Sequence, residues 1–418
     1  MHRISIRNFK GIQEAIIDFT KLNVFVGENG TGKSTIIHAL SLLKRSLNSY
    51  QLNTDLPYIN LGTPEKLVPL GEVAIITLEA EKTLDLGRLH SGSVRFRVEI
   101  QFDVQGLLHA ETEILDPYKI KSSWDRYGAA SIEPKELQIE EFTFSLAPGV
   151  GLGQAFQPVG LVARETSKTD AQSAQRVGRI MLPELMKLST VPIQAVTNTY
   201  VVPLFRGFSE PSYTMQTSES LDLNPRQGLI PMGSSLATNL AYFNPSREEK
   251  IYRWMQDVMQ VSIDWRQIPG GHVAIENPEK STFFVNEGFG SNQLTFILEE
   301  MVRTTGGSFI SVEEPEIHLH PDAQFKFGKL MTTISLEEKK QILLVTHSEH
   351  IVSAVLTAVR EKKIAPQDVS IWYFEKKNEK ISAARAEIDG EGHTRGGLTT
   401  FIEASIRELK EYADSSNR

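Results

Sequence analysis

Gly27-Glu28-Asn29-Gly30-Thr31-Gly32-Lys33-Ser34-Thr35 matches the phosphate-binding pattern G-x-x-x-x-G-K-S/T and lies between a predicted strand and a predicted helix. Leu22-Asn23-Val24-Phe25-Val26 has the composition of a short buried strand, and from Ser34 onward Ile36, Ile37, Leu40, Leu43 and Leu47 recur with helical spacing. Glycines at 27, 30 and 32 let the backbone curl around a polyphosphate, with Glu28, Asn29, Thr31 and Thr35 completing the cradle. The helix that starts near Lys33 turns its free N–H groups toward the anion. On this reading Lys33 reaches the β- and γ-phosphate oxygens and the Ser34 hydroxyl is a Mg2+ ligand. The expected ligand is a nucleoside triphosphate.

Working outward, a second apolar run, Ser308-Phe309-Ile310-Ser311-Val312, leads into Glu313-Glu314-Pro315-Glu316. A strand that ends in two carboxylates suits triphosphate hydrolysis, the first acid holding Mg2+ and the second polarising the attacking water. A third run, Gln341-Ile342-Leu343-Leu344-Val345, ends in Thr346-His347-Ser348. At the carboxyl edge of a parallel sheet, His347 can contact the γ-phosphate and the water. Asn286-Glu287-Gly288-Phe289-Gly290-Ser291-Asn292-Gln293 precedes an apolar helix candidate, Leu294 to Met301. Its two glycines and small hydroxyl at a helix start form another anion-binding nest.

The order phosphate loop, Gly-rich helix start, paired acids, strand-end histidine, with the opening Ile4-Ser5-Ile6-Arg7-Asn8-Phe9-Lys10-Gly11-Ile12, resembles an ABC-type ATPase of the RecF and SMC group. Glu313-Glu314-Pro315-Glu316-Ile317-His318-Leu319-His320-Pro321 and Thr346-His347-Ser348-Glu349-His350 are most similar to the OLD-like ATPases of bacterial phage defence and genome maintenance. The resemblance covers about residues 1–80 and 285–418. It implies an α/β ABC-ATPase head, a phosphate-loop core sheet with a flanking antiparallel sheet, using ATP and Mg2+. Two heads would stack head to tail, with Gly288, Gly290 and Ser291 completing the partner's site. Glu314 would be the catalytic base, Glu313 the magnesium-associated acid and His347 the switch histidine. Residues 317–321 would cross the interface, and Lys10 would lie near the nucleotide. Two departures stand out: Glu313 replaces the usual aspartate, and Gly288 replaces the usual signature serine.

Composition narrows the classes further. With 40% hydrophobic and 23% charged residues, the chain has the make-up of a soluble globular protein of two or three domain-sized units. No apolar run approaches a membrane span and the start is unlike a signal peptide, so a cytoplasmic location is expected. Zero cysteines remove disulfides, thiolate metal sites and cysteine nucleophiles. A net charge of −8 argues against a uniformly basic DNA-coating protein, but not against a local basic groove. Candidates are Arg164, Lys168, Arg176 and Arg179, and Lys121 with Arg126 around Trp124. His318, His320, His347 and His350 form two pairs that could bind zinc, although the first two would point to opposite sides if extended.

The chain divides into an N-terminal half-head (1–115), a central insertion (116–284) and a C-terminal half-head (285–418). Alternation over 71–79 and 93–100 reads as antiparallel strands, and 120–180 reads as irregular. Thr199 to Gly207, with Arg206, resembles the segment that returns the chain to the core in the OLD-like group. A helix is expected from Ser246 to Gln260, capped by Ser246, and a last helix from Leu398 to Tyr412. No sustained heptad repeat occurs between 80 and 285, so the middle is a compact insertion.

Three functions follow. The first is an ATP-driven, self-associating switch in anti-phage defence, acting on a separate effector such as a nuclease, because about seventy residues after His347 are too few for a Toprim nuclease. The second is a RecF-like repair ATPase that clamps DNA. The third, the nucleotide-binding subunit of a membrane transporter, is disfavoured by the SMC-like start and the Glu313-Glu314 pair.

Overall fold

The computed structural model describes residues 1–49, 51–56, 59–85, 91–116, 120–126, 132–139, 142–145, 162–164, 191–204, 206–214, 245–377 and 380–395. Two sheets dominate. The larger is antiparallel and nine-stranded, running from β10 (Val162–Arg164) through β9 (Phe142–Ser145), β8 (Ile132–Ile139), β7 (Ile120–Arg126), β6 (Gly106–Asp116), β5 (Ser91–Asp103) and β4 (Ala74–Asp85) to β1 (Arg3–Phe9) and β2 (Ile12–Asp18). The smaller has the order β11 (Thr199–Val202), β16 (Phe309–Glu313), β17 (Gln341–Val345), β3 (Leu22–Gly27), β18 (Val369–Lys377), β19 (Lys380–Arg385). Its first five strands are parallel and β19 is an antiparallel edge. A minor antiparallel sheet joins β12 (Ser212–Thr214), β13 (Asp264–Ile268), β14 (His272–Asn277) and β15 (Thr282–Phe283).

The parallel strands read as uninterrupted apolar runs because both their faces are covered. Helix α1 (Lys33–Ser49) packs between the two sheets, where Ile36, Ile37, Leu40, Leu43 and Leu47 meet Phe25, Phe309, Val345 and the inner face of the large sheet. On the other face, Leu22, Val24 and Val26 meet helices α2 (Pro245–Met259), α3 (Phe289–Arg303), α4 (Pro321–Glu337) and α5 (Glu349–Arg360). The alternation along β3 is therefore a division between two cores. Among the described residues no helix is long and apolar enough to cross a membrane.

One buried polar side chain ties the middle of the parallel sheet together. Asn23 is fully buried; its Nδ2 donates to the carbonyls of Ile342 and Thr20, both at 3.0 Å. Its Oδ1 accepts from Thr20 N–H at 2.7 Å and from the Ser370 hydroxyl at 2.7 Å. Strand β3 is thus bonded through one side chain to both of its neighbours.

Three expectations need correction. Residues 120–180 are not irregular throughout: 120–126, 132–139, 142–145 and 162–164 are strands of the large sheet. The alternation in β7 escapes notice because its inward residues are Ser122 and Trp124, and a buried serine looks polar in sequence. Trp124 is fully buried, so it is no stacking platform for a base. Lys121 Nζ pairs with Glu111 at 2.7 Å, and Arg126 donates to the Gln105 carbonyl at 2.6 Å. In addition, α2 begins at Pro245, so Ser246 lies inside the helix. Lys168, Arg176, Arg179 and the expected helix at 398–412 lie outside the described residues; Arg164 ends β10.

Asn23→Ala strands donors and acceptors on three segments, at a cost of about 2–4 kcal/mol in unfolding free energy. Arg253→Ala, which breaks an exposed 3.4 Å pair with Glu249, serves as the comparison, with an expected change below about 0.5 kcal/mol. Urea denaturation of the two variants decides it, and equal midpoints would remove Asn23 from its central place.

Candidate nucleotide site

Strands β3, β16 and β17 run parallel and end at one sheet edge, so their three following segments converge there. That edge is where open α/β sheets bind ligands. Residues separated by about 280 positions become neighbours for this reason.

The first segment is Gly27 to Thr35. Gly27 has φ 140° and sits against β18: a Cβ there would lie 2.1 Å from the Phe374 carbonyl oxygen. The loop backbone and β18 are therefore too close for any side chain. Thr31 Oγ1 donates to the Glu28 carbonyl at 2.8 Å and Thr35 N–H to the Gly32 carbonyl at 3.1 Å, while Glu28, Asn29 and Gly30 are exposed. Lys33 is buried, and its ammonium donates to the carbonyls of Gly27 and Glu28 at 2.8 and 2.7 Å. Burial brings the Lys33 pKa down to about 8, against the opposing pull of Glu314, Glu316 and Glu28.

The second segment supplies the acids. Glu313 is buried at the end of β16, and burial pushes its carboxyl up while hydrogen bonds from the Ser34 hydroxyl and the Leu204 N–H pull it down. Its Oε1 is buried without a protein hydrogen-bond partner. A buried carboxylate oxygen left open, beside the hydroxyl that follows the phosphate-loop lysine, is the donor set that fits a hard divalent cation. Ser34 and Glu313 are thus suited to Mg2+.

Glu314 has φ 41°, a left-handed backbone that costs a non-glycine residue roughly 1–3 kcal/mol unless its surroundings impose it. They do. Its N–H donates to the Val345 carbonyl at 2.7 Å, and its carbonyl accepts from Arg206 at 3.0 Å. Arg206, buried, also donates to the carbonyls of Glu313 at 2.8 Å and Pro203 at 2.7 Å. Burial lowers its pKa only to about 10, so the guanidinium stays charged near neutral pH. Arg206 pins the backbone of both acids, a role that no local sequence signal announces.

The third segment is Thr346-His347-Ser348. The His347 ring is half-buried, and burial first, then the Lys33 charge, holds its pKa below the usual value, with Glu314 opposing. His347 is thus close enough to Lys33 and Glu314 to sense both, as a neutral imidazole near pH 7. The structure brings Lys10 to the same region. It occupies the β1–β2 turn at φ 45°, with its Nζ 3.0 Å from His38 Nδ1, and the Glu313 charge acts on it. Burial and that ammonium drop His38 to about 3, so the ring is a neutral acceptor. His38 belongs to α1 and carries no signal of this role in the sequence, where it is a lone polar residue on an apolar helix.

The Gly-rich helix start has different surroundings. Gly288 is the N-cap of α3 and no side chain caps it, so the first-turn N–H groups at Phe289, Gly290 and Ser291 precede the first helical bond, Asn292 N–H to Gly288 O at 3.2 Å. A Cβ on Gly290 would meet the His318 carbonyl at 2.5 Å, whereas the Gly27 and Gly32 neighbours are Phe374, Ile381 and Ile12. Phe289 is 70% exposed, its ring 5.4 Å from that of His318. Ser291 is buried. His320 caps α4, accepting from Asp322 N–H at 3.4 Å.

Phosphate oxygens beside Lys33 favour its charged form, so nucleotide binding near pH 8 takes up about half a proton. Calorimetry in buffers of different ionisation enthalpy measures it. The uptake disappears at pH 6.5 and in Lys33→Arg, which stays charged throughout; a binding heat independent of buffer at pH 8 would contradict the Lys33 placement.

A stretch of 140 residues is 24% identical to the DNA replication and repair protein RecF of Renibacterium salmoninarum, covering 33% of this chain and 31% of that one. The chain thus spans about a third of the length of that curated relative. The SMC head domain from Thermotoga maritima is 12% identical, with a TM-score of 0.42 over 93% of this chain and 99% of that one. The Smc head domain with an extended coiled coil bound to the C-terminal domain of ScpA, derived from Pyrococcus furiosus, is 11% identical, with a TM-score of 0.44 over 99% of both chains. Residues 1–156 and 237–352, well over half of the sequence, match the AAA ATPase domain family. The match takes in the phosphate loop, the acid pair and the strand-end histidine at one sheet edge, and the chain belongs to that family of ATPase domains.

Proposed function

We propose that this chain hydrolyses ATP with Mg2+ and that two copies close head to tail around the nucleotide, so that hydrolysis opens and closes a switch. The observation that carries the reading is the convergence of Lys33, the Ser34–Glu313 pair, Glu314 and His347 at one edge of the parallel sheet. Lys33 exchanges the Gly27 and Glu28 carbonyls for the β- and γ-phosphate oxygens. Ser34 and Glu313 would hold Mg2+, which would supply the positive charge that neutralises the triphosphate. Glu314 accepts a proton from the attacking water, a bond forms to the γ-phosphorus, and the bond to the bridging oxygen breaks, leaving ADP and phosphate. His347 donates toward the γ-phosphate, and Lys10 supplies a second positive charge from the β1–β2 turn.

Head-to-tail closure is supported by the exposed, uncapped start of α3 at Gly288 and Phe289, a helix N-terminus of the kind that binds phosphate, with Gly290 and Ser291 buried behind it. The neighbour of that nest, the loop 317–321, would then face the second copy. The switch acts on a separate protein, an effector such as a nuclease in an OLD-like defence system, a reading that rests on the resemblance of residues 313–321 and 346–350 alone. The similarity to RecF favours a second reading, a repair ATPase acting on DNA.

Phosphate release and native mass by light scattering test the switch. Lys33→Ala abolishes hydrolysis, and Glu314→Gln slows it by about 100-fold or more. Glu314→Gln doubles its mass with Mg·ATP while Lys33→Ala does not. Hydrolysis that survives Lys33→Ala would sink the ATPase reading, and a Glu314→Gln mass indifferent to nucleotide would sink head-to-tail closure. Stimulation by DNA that fades steeply with salt selects the second reading.

A further inference from the structure

Glu316 follows the two acids already given roles, and its side chain turns back into the fold. Its Oε2 accepts from the Thr346 hydroxyl at 2.7 Å and its Oε1 from the His347 backbone N–H at 2.5 Å. Both groups donate to the carboxylate. The amide can only donate, and Thr346 Oγ1 already accepts from Ser348 N–H at 2.9 Å, so its own proton is directed to Glu316. Two acceptor oxygens side by side are what a carboxylate supplies, whereas a glutamine would turn an N–H toward one of the donors.

The surrounding contacts extend this bridge. Gln324 donates to the Leu319 carbonyl at 2.8 Å and accepts from the Ser348 hydroxyl at 2.6 Å. Beside the Glu314 N–H bond to the Val345 carbonyl, the acid loop and the histidine loop are joined by Glu316 directly and by Gln324 through Ser348. Nothing else described for the backbone of His347 competes with the Glu316 contact in holding the histidine at a set distance from Glu314.

We propose that Glu316 is the positioning residue of the site: it fixes His347 against the Glu314 loop, and it affects ATP hydrolysis through that histidine. This rests on the ATPase reading above. Displacements of about 1 Å in a reacting group cost up to 100-fold in rate, so Glu316→Gln lowers kcat by about 10- to 100-fold. It leaves the affinity for a fluorescent ATP analogue within about threefold, because the side-chain hydrogen bonds of Glu316 are to Thr346 and His347 and not to the phosphate loop.

A double-mutant cycle separates positioning from simple loss of structure. If Glu316 works through His347, the Glu316→Gln, His347→Ala double variant is no slower than His347→Ala alone. Losses that multiply in the double variant, or a Glu316→Gln enzyme with unaltered kcat, would overturn the inference while leaving the ATPase reading intact. Absence of Lys33-dependent hydrolysis in the unaltered protein would overturn that reading and the inference with it. Should Glu316→Gln fail to fold, Thr346→Val enters the same cycle, where non-additivity with His347→Ala is again the expected result and additive losses the contrary one.

Discussion

The hydrogen bonds of a buried asparagine hold together what the rest of the molecule depends on. Asn23, the second residue of β3, bonds Ile342 in β17 on one side and Ser370 in β18 on the other, partners more than three hundred residues away along the chain. Leu22, Val24 and Val26 supply burial on one face and Phe25 on the other, but apolar burial is non-directional and does not by itself choose neighbours. A buried amide does choose, because any other register leaves its donors and acceptors unpaired. Once β3 is fixed between β17 and β18, Gly27 is pressed against the Phe374 carbonyl and the phosphate loop must leave the sheet where it does.

From that frame the site follows as a set of backbone constraints more than of side-chain contacts. Arg206 reaches the carbonyls of both acids, Val345 receives the Glu314 amide, and Glu316 receives the amide of His347. The left-handed backbone at Glu314 is held from two directions and the histidine from one. Charge is arranged in the same compact way. Lys33, Lys10 and Arg206 face Glu313, Glu314 and Glu316, and burial shifts Lys33 and Glu313 toward their neutral forms. A bound triphosphate with its metal ion would add anionic charge on one side and cationic on the other, which would favour the ionised form of each.

Much of this was legible in the sequence, for identifiable reasons. The phosphate loop needs glycines at fixed positions and a strand before it, and both are local. The apolar runs of β3, β16 and β17 stand out because strands covered on two faces lose their alternation. What was hidden was tertiary. A strand whose inward residues are Ser122 and Trp124 does not look like one. Arg206 and Glu316 stand inside segments the sequence singles out, but their partners are not legible there until the parallel sheet carries Glu313 to the one and His347 to the other. Likewise, Lys121 and Arg126 suggest a basic patch until Glu111 and the Gln105 carbonyl are seen beside them.

The central claim is that one nucleotide site is built from three strand ends. A crystal structure of the protein with Mg2+ and a non-hydrolysable ATP analogue tests it most directly. The account predicts Lys33 Nζ on the β- and γ-phosphates, the metal ion on the Ser34 hydroxyl and Glu313, and the His347 ring within hydrogen-bonding reach of the γ-phosphate. A nucleotide held by the Gly27–Thr35 loop while Glu313 and His347 stay away from the metal and the phosphate would contradict it.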